Sequence, residues 1–194
     1  FNGRLDIYNS VFYRETCGSV ADDRSLADYF FSKEYYEDAL ALYITILNTV
    51  TDDAEIYEKA GYCYQIAGEF EKALEKYSRA LMIEARTWTL RKTGLCLRKL
   101  GRPAEALEAY RRALLNEPDD LNTILMTAHC CLDTGNYEEA LKHYFRIEYE
   151  KPGNSKVLRP IAWCYIVTGK YAEAEKYFER LSETGLTPFD KINM

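Results

Sequence analysis

Five stretches of this chain are near copies of one another. They read EYYEDALALYITIL (34–47), GEFEKALEKYSRAL (68–81), GRPAEALEAYRRAL (101–114), GNYEEALKHYFRI (135–147) and GKYAEAEKYFERL (169–181). Their starts are separated by 34, 33, 34 and 34 residues. Each carries an aromatic residue or Pro two places in, Ala five in and Tyr or Phe nine in. The alanines are Ala39, Ala73, Ala106, Ala140 and Ala174; the aromatics are Tyr43, Tyr77, Tyr110, Tyr144 and Phe178. A fixed period of this size constrains the fold more than any other feature. One such unit cannot bury its own apolar face, so stability must come from stacking against the next unit.

The similarity extends upstream. With the leading Gly or Glu counted as position 15, position 8 is Ala27, Gly61, Gly94, Ala128 and Ala162, all small. Position 11 is Phe30, Tyr64, Leu97, Cys131 and Tyr165, and Pro118 and Pro152 hold position 32 of two units. Apolar residues recur at three- and four-residue steps, the period of an amphipathic helix. Gly68, Gly101, Gly135 and Gly169 supply the left-handed turn that ends a first helix. Pro118 and Pro152 stop a second helix, because Pro cannot extend the hydrogen-bond ladder. This pattern resembles the tetratricopeptide repeat, a 34-residue helix–turn–helix unit. The resemblance implies an all-α fold, a right-handed α-solenoid or superhelix of stacked antiparallel helix pairs.

Five units are expected, at about 20–53, 54–86, 87–120, 121–154 and 155–186. Residues 1–19 fall outside the pattern and are expected to form a helical leader or cap. Thr187 before Pro188 reads as a helix start, so residues 187–194 are expected to begin a sixth unit within a longer array.

Composition excludes other classes. With 25 Lys+Arg against 31 Asp+Glu the net charge is −6, which argues against nucleic acid as a partner. No apolar run reaches the length of a membrane-spanning helix, and no basic-then-apolar leader is visible. Four of the six cysteines, Cys63, Cys96, Cys130 and Cys164, share repeat position 10. Equivalent helices of neighbouring units lie about 8–10 Å apart or further, whereas a disulfide needs Cα atoms within about 7 Å. There is no Cys-x-x-Cys of the kind that clusters zinc ligands. These cysteines read as small buried filler, with no metal or cofactor expected, and free thiols favour a reducing, cytoplasmic setting.

No nucleophile elbow, phosphate-cradling loop or His-Glu-x-x-His is present, so the chain is not expected to be an enzyme. His143, beside Lys142, reads as solvated, and His129 as facing the inner surface of the array. Asp52–Asp53 and Asp119–Asp120 precede first helices, where negative charge favours the helix N-terminus.

In the family, positions 2, 5, 9, 12 and 13 of first helices commonly face a concave groove. Here they include Glu58, Tyr62 and Gln65 in the second unit, and Trp88, Arg91, Leu95, Arg98 and Lys99 in the third. The fourth offers Leu125, His129 and Asp133, and the fifth Lys156, Arg159 and Trp163. Both tryptophans fall in this set, and from the third unit to the fifth it holds five cations against one Asp. The peptide-binding residues expected are Tyr62, Trp88, Arg91, Arg98, Leu125, His129, Arg159 and Trp163. The function expected is a non-catalytic scaffold gripping a peptide or protein segment with apolar and acidic side chains. A second reading stays open, a chaperone-like or regulatory segment of a larger protein. One family subclass clamps the C-terminal carboxylates of chaperones with Lys at position 5 and Asn at position 9. Arg24 and Asp28 stand there in this chain, which speaks against that partner.

Overall fold

The computed structural model describes residues 19–184, and among them there are ten α-helices and no strand. They are α1 Val20–Ser32, α2 Tyr36–Leu47, α3 Ala54–Ile66, α4 Phe70–Ile83, α5 Thr87–Lys99, α6 Pro103–Asn116, α7 Leu121–Asp133, α8 Tyr137–Glu150, α9 Ser155–Val167 and α10 Tyr171–Thr184. The leader expected before Ser19 and the sixth unit expected from Thr187 lie outside the described residues. The chain divides into two compact units, Phe1–Lys92 and Thr93–Met194, and the division falls within α5.

Helix boundaries follow from capping chemistry. The carboxylate of Asp53 accepts from the backbone N–H of Glu55 and Ile56 at 3.0 and 3.2 Å, opening α3. Asp120 does the same for α7 through Thr123, and Asn154 for α9 through Lys156. Each satisfies an N–H that has no partner inside its helix.

The turn between the helices of a pair is the same five times. The residue at position 16 donates its N–H to the carbonyl of position 11: Tyr35 to Phe30, Glu69 to Tyr64, Arg102 to Leu97, Asn136 to Cys131 and Lys170 to Tyr165, at 2.8–2.9 Å. This six-to-one bond needs positive φ at position 15. Gly68, Gly101, Gly135 and Gly169 supply it at φ 70–80°. In the first pair Glu34 takes the same conformation at φ 63°, the positive-φ non-glycine residue of the described chain.

Packing explains the invariant small residues. In the first unit α1 packs on α2, α2 on α3 and α3 on α4; in the second, α6 to α10 pack each on the next. Ala27, Ala39, Tyr43, Ile46 and Ile56 form part of the first unit's core. Leu158, Ala162, Ala174, Phe178 and Leu181 close the second. The repeated aromatics Tyr43, Tyr77, Tyr110, Tyr144 and Phe178 are all buried. Gly61 lies against the Tyr77 ring and Gly94 against Tyr110, each too close for any Cβ.

Candidate functional site

The expected binding residues divide between the two units. In the first, Tyr62 on α3 is half-buried at the centre of an aromatic row. Its ring centroid lies 5.6 Å from Phe31, 5.8 Å from Tyr36 and 6.2 Å from Trp88. Trp88 also meets Tyr77 edge-on at 6.0 Å, yet 37% of it stays exposed. The Lys92 ammonium sits over both Tyr62 and Trp88, at 4.7 and 5.2 Å from their centroids, within range of cation–π attraction. Arg91 is half-buried on the same helix.

Two other groove positions of this unit are committed to the fold. Glu58 is 7% exposed and accepts hydrogen bonds from Arg86, at 3.0 Å, and from the Thr89 hydroxyl. That corrects its placement among the groove-facing residues, because a buried carboxylate must keep its partners. Gln65 accepts from the Tyr77 hydroxyl at 3.0 Å. At the positions of the carboxylate clamp, Arg24 is tied to Asp53 and Glu55. Asp28 accepts from Lys59 at 2.8 Å and from the Tyr43 hydroxyl at 2.7 Å. Burial works against its ionisation, but those hydrogen bonds hold its carboxyl below the usual carboxylate range.

In the second unit Arg98 donates to Asp133 at 2.8 Å, so one groove cation is neutralised by the one groove aspartate. The pair lines a cavity of about 350 Å³ with Leu95, Lys99, Tyr110 and Met126. His129 Nδ1 lies 2.8 Å from the Tyr144 hydroxyl, and burial, with Arg98 nearby, lowers its pKa. The imidazole is thus tied to Tyr144 on the second helix of its pair. Leu125 is half-buried on the same helix. Trp163 and Arg159, on α9, line one cavity of about 270 Å³ with Leu132, Ser155, Lys156, Pro160 and Phe178. Trp163 is 40% exposed. Pro160 has no N–H to give the Lys156 carbonyl four residues earlier.

Sequence reasoning missed Lys92, Phe31 and Tyr36. Phe31 occupies position 12 of the first unit and could have been found by applying the register there. Lys92 occupies position 6, outside the family's groove set, and carried no such signal.

The four register cysteines and Cys131 are buried, and none of the five is in a disulfide. Burial pushes the thiols up, to about 12 for Cys63 and Cys131 and about 11 for Cys130 and Cys164. His143 is half-buried beside Glu139 and not solvated as expected; burial lowers its pKa. Among the described residues Cys131, Glu139 and His143 bring a thiol sulfur, a carboxylate oxygen and an imidazole nitrogen within 4.8 Å of one another. No described helix is long and apolar enough to cross a membrane.

Comparison with known proteins adds to this geometry. Residues 82–147 match the family model of anaphase-promoting complex (cyclosome) subunit 3. No curated protein matches the chain in sequence. Among solved structures, YrrB is described as a TPR protein with an unusual peptide-binding site. It is 20% identical with a TM-score of 0.83, over 94% of each chain. A structure of MamA is 19% identical at TM-score 0.78, over 84% of this chain and 90% of that one. MamA from Desulfovibrio magneticus RS-1 is 14% identical at TM-score 0.77, over 84% and 93%. The repeat register, the five identical turns and these likenesses agree: the chain has the tetratricopeptide-repeat fold.

Proposed function

We propose that this chain is a non-catalytic scaffold that recognises an extended peptide or protein segment through side chains of its first helices. Tyr62, Trp88 and Arg91 serve in the first unit, and Arg98, Leu125, His129, Arg159 and Trp163 in the second. The observation that carries the reading is the cavity on α9. A half-exposed Trp163 and the Phe178 ring make its apolar wall, and Lys156 and Arg159 stand beside them. An aromatic anchor with an adjacent guanidinium is the composition of protein-recognition hot spots. Arg can grip a carboxylate with two parallel hydrogen bonds. The ligand chemistry that fits is one bulky apolar side chain next to Asp or Glu. A peptide-binding site on YrrB supports the reading at the level of the fold.

Fluorescence of Trp163 in a Trp88→Phe background tests this. Titration with peptides pairing an aromatic and an acidic residue shifts the emission, and Arg159→Glu weakens binding at least about tenfold, roughly 1.4 kcal/mol. Equal binding to the Arg159→Glu variant overturns the assignment of the carboxylate to this cavity.

A further inference from the structure

We propose that Cys131, Glu139 and His143 form a three-ligand site for one divalent metal ion of the zinc class. The three residues offer a thiol sulfur, a carboxylate oxygen and an imidazole nitrogen, all within 4.8 Å of one another. Zinc bonded at about 2.3 Å to sulfur and about 2.0 Å to nitrogen and oxygen holds its ligand atoms roughly 3.3–3.6 Å apart. A side-chain contraction of about 1 Å therefore assembles the first sphere. His143 Nε2 is already 3.9 Å from Glu139 Oε1.

The ligands stand on rigid elements. Glu139 and His143 are one turn apart on α8 and so share a face. Cys131, on α7, packs against that helix from the buried side. Mixed sulfur, nitrogen and oxygen donors suit zinc over magnesium or calcium, which take oxygen alone. Three protein ligands leave a fourth position for water, reached past the partly exposed His143.

The surroundings both help and compete. Asn136 Nδ2 donates to Glu139 Oε2 at 2.7 Å and so orients the carboxylate from outside. Arg111 holds both Glu139 oxygens at 2.8 and 2.9 Å and must yield one of them. It has a second acceptor in Glu108, already bonded at 3.0 Å. Coordination also requires the Cys131 thiol to release its proton to bulk water as the sulfur–metal bond forms. The ligands come from two helices, so the spacing of the cysteines along the chain does not reveal the group. The Glu139–His143 spacing was the available signal.

The test is titration of the full chain with Co²⁺ under reducing conditions, followed by displacement with Zn²⁺. One equivalent binds with a sulfur-to-cobalt charge-transfer band. Cys131→Ser removes the band, and Cys130→Ala, which leaves all three ligands in place, keeps it. His143→Gln, at a partly exposed position that tolerates polar replacement, weakens Zn²⁺ at least about tenfold while circular dichroism stays unchanged. Absence of the band in the wild type, its survival in Cys131→Ser, or unaltered Zn²⁺ affinity in folded His143→Gln overturns the site.

Discussion

Gly61 on α3 and Tyr77 on α4 touch so closely that a Cβ at position 61 would lie 2.8 Å from the tyrosine ring. Tyr77 is fully buried and its hydroxyl donates to Gln65, so the ring has nowhere to retreat. Two effects oppose each other in Gly61→Ala. Alanine gains about 1 kcal/mol of helix propensity, and overpacking costs about 1–3 kcal/mol. Net destabilisation of about 1 kcal/mol is expected in urea midpoints. In a Tyr77→Leu background the same change becomes neutral or stabilising, because the opposing ring is gone. A raised midpoint with Tyr77 intact contradicts the packing.

Glu34 occupies a left-handed position that glycine fills in the other four pairs. A side chain there is strained, whereas glycine adopts the conformation freely. Glu34→Gly raises stability by about 0.5–1 kcal/mol, the strain relieved exceeding the extra freedom of the unfolded chain. Thermal unfolding of the pair of proteins reads this directly, and a fall in Tm counts against the turn geometry.

Glu58 is buried with Arg86 and Thr89 as its partners. Glu58→Ala removes the acceptor shared by the Arg86 guanidinium and the Thr89 hydroxyl and costs about 1–3 kcal/mol. Glu58→Gln keeps both acceptor and volume and costs less. Equal urea midpoints for the Ala variant and wild type would place Glu58 in solvent.

These three relationships show what a repeat register reveals and what it hides. Ala39, Tyr43 and their equivalents were legible because every unit solves the same packing problem with the same residue types. The buried cysteines followed from register as well. The roles of Glu58, His143 and Lys92 did not. Their partners, Arg86 and Thr89 for Glu58 and the Tyr62 ring for Lys92, lie a repeat away in sequence, and the period fixes helices without fixing which charges meet. Glu34 was read as equivalent to glycine by alignment; only the backbone shows that it adopts glycine's conformation.

The Asp28 carboxyl is held below its ordinary 3.8 by hydrogen bonds from Lys59 and Tyr43 that outweigh its burial. A carboxyl depressed in the folded state contributes stability above its unfolded pKa and loses it as pH falls through the folded value. Asp28→Asn is therefore less stable than wild type near neutral pH. The gap closes as pH drops below about 4. Urea midpoints across that range give the curve, and a gap that widens on acidification reverses the sign.

Peptide recognition at the α9 cavity is tested most directly by unbiased peptide-display selection on the intact chain, run in parallel on a Trp163→Ala/Arg159→Glu variant. Wild type enriches sequences in which a bulky apolar residue neighbours Asp or Glu, and the variant loses them. Enrichment of the same sequences by both proteins, or of basic sequences by wild type, contradicts the proposed role of this surface.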